Sequence, residues 1–110
     1  MIAFEVFHNG RRVCRAGAED LGVLHVSVAA GGNLGNKVAS AILEGKGAEI
    51  HYHVGGLTAR KDPKTDVHLN WKSVAPLKIG DTISVKILES DTADKPSKQY
   101  KRNKKRKQKK

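Results

Sequence analysis

The sequence predicts a small all-β domain, an antiparallel sandwich or barrel, followed by a disordered basic tail. Five to seven short runs of alternating apolar and polar residues indicate the strands, because Asn-Gly, Gly-Gly and Gly-Asp turn signals separate them. The length of 110 residues admits one domain. The single cysteine excludes an internal disulfide framework, so burial of apolar side chains has to stabilise the fold.

The first sixteen residues predict a β-hairpin, because two alternating runs flank Asn9-Gly10, the signal of a two-residue type I′ turn. The register that follows from this turn pairs Glu5 with Cys14, and it places the thiol on the face opposite Val6. The predicted core face of the hairpin carries Ile2, Phe4, Val6 and Val13.

The same alternation predicts further strands along the body of the chain. The run KVASAILEG (37–45) interrupts them; its pattern is ambiguous between a short helix and a strand, and we favour a helix or irregular structure. The aromatic side chains of Tyr52 and Trp71 fall at inward positions and are predicted to lie in the core. The inward residues predicted for these strands are Leu24, Val26, Val28, Ile50, Tyr52, Val54, Val67, Leu69, Trp71, Ile83, Val85 and Ile87.

Several segments together resemble a group of short, largely uncharacterised bacterial proteins. These segments are an N-terminal hairpin of the FEVxxNG type, a central GGL, a strand with HLNW, and a Gly-Asp turn that precedes an alternating strand. The resemblance covers most of residues 1–96 and implies a compact all-β body. It implies no catalytic residue, and the lysine-rich extension lies outside the pattern.

The net charge of +10 resides in the last sixteen residues. Residues 1–94 carry 11 basic and 11 acidic side chains and are neutral, whereas residues 95–110 carry 10 basic and no acidic ones. Like charges at this density repel one another, and Tyr100 is the one large apolar group of the segment, so we predict disorder from Lys95 onward. Asp91 and Asp94, just before this tail, are interpreted as solvated residues that close a domain spanning residues 1–94.

The tail predicts binding to nucleic acid or to a ribonucleoprotein through phosphate contacts. Lysine and arginine release counterions from a polyanion, and this gives an affinity that is independent of base sequence. The protein is therefore predicted to be a binding module without enzymatic activity. The residues expected to contact phosphates are Lys101, Arg102, Lys104, Lys105, Arg106, Lys107, Lys109 and Lys110.

Other roles of the tail remain open. The leading alternative is a protein–protein interaction module of accessory or immunity type, in which the β body binds the partner and the tail is a dispensable solubilising segment; an unpaired edge strand would favour it. The same charge also suits an anionic membrane surface or, at KKRK (104–107), a nuclear address. No apolar run is long enough to span a membrane and no signal peptide pattern is present, so a cytoplasmic location is expected.

Four histidines fall opposite the inward aliphatic residues of their strands. They could therefore gather on one outer face, where imidazole suits zinc, copper or nickel. No acidic or cysteine ligand stands at a matching spacing, so we predict no metal site and no cofactor. The candidate ligands, should such a site exist, are His25, His51, His53 and His68.

A nucleophilic thiol is the remaining enzymatic hypothesis. It requires Cys14 and His8 within hydrogen-bond reach of one another. The predicted hairpin register places the two side chains on opposite faces, so Cys14 is interpreted as a structural thiol.

Overall fold

A computed structural model describes residues 1–39 and 47–101 of the chain, and it confirms the all-β fold. Seven strands form in this part of the chain, together with a single 3-10 turn at Pro63–Thr65. The strands are β1 (Ile2–His8), β2 (Arg11–Ala16), β3 (Leu21–Gly31), β4 (Glu49–Thr58), β5 (Val67–Leu77), β6 (Ile83–Glu89) and β7 (Lys98–Lys101).

The strands form two antiparallel sheets. Sheet A has the order β2-β1-β6, and sheet B has the order β3-β4-β5-β7. The sheets do not close into a barrel, so the sandwich alternative is the correct one. Most of the segment 37–45, for which a helix was favoured, lies outside the described residues, and residues 37–39 form a turn and irregular backbone.

One apolar cluster joins the two sheets. Tyr52 and Trp71, which are 2% and 6% exposed, supply its largest side chains, and this confirms their predicted place in the core. Sheet A contributes smaller residues to the same cluster, so the two aromatic side chains are its bulkiest members. The buried members of the cluster are Val6, Cys14, Ala16, Tyr52, Val54, Val67, Leu69 and Trp71.

Four residues predicted to face the core are exposed instead. Ile2 is 63% exposed, Val28 56%, Val85 40% and Ile87 72%. Alternation correctly describes the face to which a side chain points, but burial also requires a partner layer above that face. The strand β6 and the distal half of β3 lie at sheet edges, where the described residues provide little cover.

The N-terminal hairpin has the predicted turn but not the predicted register. Asn9 and Gly10 have φ values of 53° and 82°, as a type I′ turn requires. A β-bulge then adds Val13 to β2, so Val6 pairs with Cys14 instead of with Val13. The predicted position of Cys14 opposite Glu5 is therefore wrong, because the extra residue moves the thiol onto the core face.

The Asn-Gly turn and the Gly-Asp turn of the sequence contact each other. The side chain of Asn9 donates to the Asp81 carboxylate at 3.0 Å and accepts the backbone N–H of Thr82 at 2.8 Å. The backbone N–H of Lys78 donates to the same carboxylate at 2.9 Å. The bond from the Asn9 side chain, followed by that from the Lys78 N–H, lowers the pKa of Asp81 to about 2.

The segment after β6 crosses both sheets and is held at three points. Ser90 donates its backbone N–H to the carbonyl of Met1 at the end of sheet A. On the edge of β2, the backbone N–H of Arg15 donates to the Asp94 carboxylate at 2.8 Å. The backbone N–H of Asp94 in turn donates to the carbonyl of Arg15 at 2.9 Å. Ser97 donates to the carbonyl of Asn70 on β5 at 2.7 Å. The segment therefore connects the edge of one sheet to the edge of the other.

Asp94 is the central residue of this crossing. Its carboxylate also accepts a hydrogen bond from Arg12, and its carbonyl accepts the indole N–H of Trp71 at 2.8 Å. The backbone N–H of Arg15, followed by the guanidinium of Arg12, lowers the pKa of the Asp94 carboxyl. The interpretation of Asp94 as a merely solvated residue is wrong, since it bonds to both sheets.

The ordered body extends beyond Asp94, which differs from the predicted start of disorder at Lys95. Lys98–Lys101 form β7 and pair with Val67–Asn70 of β5. Periodicity does not reveal this strand because its stability comes from a distant strand edge and not from apolar burial of its own. The rest of the tail, residues 102–110, lies outside the described residues.

Replacement of Asp94 tests the crossing. Asp94→Ala removes acceptors from the Arg15 N–H and the Arg12 guanidinium, and we expect the free energy of unfolding to fall by about 2 kcal/mol. Urea titration measures this change. Asp91→Ala, which removes an exposed carboxylate three residues away, is the matched control, and equal losses in both variants would contradict the assignment.

The contact between the two turns predicts that the stability of the fold depends on pH in the acid range. Because the pKa of Asp81 is lower in the folded chain than its ordinary value of 3.8, its contribution is present above about pH 4 and disappears as the pH falls through about 2. Asp81→Asn should therefore lose less stability than the unchanged chain between pH 4 and pH 2. Thermal unfolding across this range measures the difference; parallel curves for the two proteins would refute it.

Candidate nucleic-acid interface

The predicted phosphate contacts begin where β7 ends. Lys101 is the last residue of this strand, is exposed, and pairs across the ladder with Val67. Lys98, at the start of the strand, is also exposed and lies beside Asn70. The other predicted contacts lie outside the described residues: Arg102, Lys104, Lys105, Arg106, Lys107, Lys109 and Lys110.

Beside this strand, sheet B presents an outer surface that we call the histidine face. Its members alternate with the buried residues of the same strands, so they point away from sheet A. The structure places all four candidate histidines on this face, in agreement with their parity in the sequence. The histidine face comprises His25 and Ser27 of β3, His51 and His53 of β4, His68 and Asn70 of β5, and Lys98 and Tyr100 of β7.

Two of the histidines contact each other at the centre of the face. The ring centroids of His25 and His53 are 5.2 Å apart, and Nε2 of His53 lies 2.9 Å from Oδ1 of Asn70. Burial, followed by the proximity of His53, lowers the pKa of His25. Gly55 leaves room for this group, because a Cβ there would meet Cε1 of His53 at 2.9 Å and Oδ1 of Asn70 at 3.0 Å.

The remaining two histidines lie apart from this pair. His51 is opposite Ala29 and Pro76, while His68 is opposite Leu57 and Tyr100. Within residues 1–39 and 47–101, no three His, Cys, Asp or Glu side chains converge as metal ligands would. The histidine face therefore offers rings and polar groups rather than a preformed coordination shell.

The strands of sheet B contain more basic than acidic residues. Its four strands contain one acidic residue, Glu49, at the first position of β4. The same strands contain Lys72, Lys98 and Lys101 in addition to the four histidines. A surface of this composition does not repel a phosphate backbone that lies across it.

A groove of about 660 Å³ opens between the hairpin and β5, close to the start of β7. Tyr52 and Trp71 form part of its lining, Arg11 and Lys72 are among its cationic residues, and Ser97 borders it. Among the described residues, no aspartate or glutamate lines this groove. A second cationic surface thus lies next to the root of the tail, and the sequence did not predict it because its residues come from distant strands.

Cys14 and His8 do not form an activated nucleophile. The bulge places Cys14 on the same face as His8, contrary to the prediction, but burial of the thiol raises its pKa to about 11. Nε2 of His8 lies 3.3 Å from Oδ2 of Asp81, and its ring packs against Tyr52 with centroids 5.6 Å apart. A thiol with a raised pKa is protonated at neutral pH and is a poor nucleophile.

Comparison with known proteins gave no match: no family model, no curated sequence and no solved structure is significantly similar to this chain. In the described part of the chain, no helix has the length and apolar character needed to cross a membrane.

The state of the thiol can be measured directly. Because the pKa of Cys14 is about 11, only about one thiol in a thousand is ionised at pH 8, and the group is also buried. We expect Ellman's reagent to modify the native protein far more slowly than the chain in guanidinium chloride. Rapid modification of the native protein at the denatured rate would contradict the buried position.

Proposed function

We propose that the protein binds nucleic acid through its cationic tail, residues 95–110, and that sheet B provides the surface from which the tail extends. The observation that carries this proposal is the pairing of β7 with β5. This pairing fixes the first residues of a segment with ten basic and no acidic side chains to the edge of a sheet that has a single acidic residue.

Electrostatics favours a polyanion as the partner. The first 94 residues are neutral, so they do not mask the charge that follows. Each phosphate neutralised by the tail contributes roughly −0.7 to −0.9 to the slope of log affinity against log salt concentration. Six engaged side chains would therefore give a slope of about −4 to −5, which is steep enough to separate phosphate contacts from other kinds of binding.

The ordered root of the tail distinguishes this arrangement from a wholly flexible charged extension. Lys95, Lys98 and Lys101 are exposed, and the backbone between them is held by Ser97 and by the β7 ladder. Cations held in place lose less conformational entropy on binding than cations on a free chain. The groove that contains Arg11 and Lys72 extends this cationic area onto the body.

A protein partner is the second candidate function, and the edge of sheet B favours it. Among the described strands, β3 pairs on one side only, so an eleven-residue edge is open to an added strand. Val23 and Val28 on β3 are 50% and 56% exposed. An extended peptide could pair with such an edge through its main chain.

Neutralisation of tail charges tests the proposed function. We expect the variant with Lys104, Lys105, Arg106 and Lys107 all replaced by glutamine to bind a labelled oligonucleotide more weakly, with a salt slope shallower by about 3. The loss should be uniform across base sequences, because phosphate contacts do not read bases. Fluorescence anisotropy over a salt series measures both quantities in the full-length chain.

A matched control replaces four exposed lysines of the body, Lys61, Lys64, Lys78 and Lys86, by glutamine and removes the same total charge. Equal losses in the two variants would show that total charge, and not the tail, governs affinity. Unchanged binding in the tail variant would contradict the proposed function and would leave the edge of β3 as the surface to examine.

A further inference from the structure

We propose that the histidine face of sheet B binds unpaired bases, so that the nucleic acid recognised by this protein is single-stranded. This inference rests on the proposed function and specifies its substrate class. It is carried by one juxtaposition: a row of rings crosses all four strands of the sheet whose edge strand is the root of the cationic tail, and those of His25, His68 and Tyr100 are exposed while that of His53 is half-buried.

The rings form two neighbouring pairs. Tyr100 of β7 lies directly opposite His68 of β5, and Tyr100 is 48% exposed. His25 of β3 contacts His53 of β4 with ring centroids 5.2 Å apart. Aromatic and imidazole rings that project from a sheet stack on unpaired bases, and every base has a π-face that can be used in this way.

A hydrogen-bonding group lies between the two pairs. When Nε2 of His53 carries the proton, it donates to Oδ1 of Asn70 over 2.9 Å. This bond orients the amide, and the N–H groups of Asn70 can then donate to acceptors on a base edge. Lys98, directly across the ladder from Asn70, is exposed and adds a cationic side chain to the same face, which can contact the phosphate of a bound nucleotide.

Among the described residues, a glycine occupies the centre of the histidine face. Gly55 is paired with His25 on one side and with Asn70 on the other, so a glycine separates the two polar groups. A Cβ at this position would lie 2.9 Å from Cε1 of His53 and 3.0 Å from Oδ1 of Asn70, so any larger residue would displace the ring or the amide. The ring and the amide therefore cover the backbone of Gly55, which is buried.

A duplex does not fit this surface as well as a single strand does. In a duplex the base faces are occupied by their neighbours in the stack, so the rings of the histidine face would contact only the backbone. The tail, in contrast, binds phosphates of either form. The two surfaces together thus predict a preference for single strands that depends on the rings and a salt dependence that depends on the tail.

The test compares the unchanged protein with the full-length triple variant His25→Ala, His68→Ala and Tyr100→Ala. The probes are a fluorescein-labelled twelve-nucleotide single strand of mixed sequence and the duplex of the same sequence. We expect the affinity for the single strand to fall by about tenfold or more, while the affinity for the duplex changes less than about twofold. Tyr100→Phe, which keeps the ring, should bind the single strand as the unchanged protein does.

A control variant, Ile79→Ala with Ile87→Ala, removes two apolar side chains outside sheet B that are 90% and 72% exposed. Thermal unfolding shows whether each variant folds, and the point variants His25→Ala and Tyr100→Ala replace the triple variant if it does not. Equal binding of the single strand by the ring variants and the unchanged protein overturns this inference and leaves the tail proposal intact. Absence of binding to both probes by the unchanged protein would overturn both proposals.

Discussion

The hydrogen bonds of Asp94 are the interaction on which the rest of the structure depends. The two sheets share a small core in which Tyr52 and Trp71 are the bulkiest buried groups, and sheet A has only three strands. A single residue that bonds to the edge of β2 and to the indole of Trp71 therefore fixes the distance between layers that apolar packing alone holds weakly. The same residue directs the chain toward β5, so the position of β7 follows from it.

Because the segment after β6 leads to β7, the cationic root of the tail joins the histidines on sheet B. Sheet A keeps most of its charge in internal pairs, such as those of Glu5 with Arg12 and Arg15. The hydrogen bond from Arg12, followed by that from Arg15, lowers the pKa of Glu5 against the opposing effect of burial. Sheet B instead leaves its cations and rings available at the surface. The proposed function accordingly places binding on sheet B and leaves sheet A as the scaffold.

Much of the fold could be predicted from local pattern, and the failures have non-local causes. Alternation placed His25, His51, His53 and His68 on one face, because the two-residue period of a strand is a local property. It could not show that His25 meets His53, since that depends on strand order and register. The strand β7 was missed for the same reason, because it pairs with β5, which is distant in sequence. The bulge at Val13 is the exception: it lies within the local hairpin, and neither the alternation nor the Asn-Gly turn signals the extra residue.

The end of β7 at Lys101 also sets a geometric limit. Nine residues follow it in the sequence, and an extended chain spans at most about 3.6 Å per residue, so every charge up to Lys110 stays within about 30 Å of the sheet edge. If a nucleic-acid strand binds at the histidine face, the cations of the tail lie within this distance of it, and their contact with the strand is an intramolecular event at high effective concentration. Weak individual contacts on the face and on the tail would then combine into a long residence time, with no need for a deep pocket.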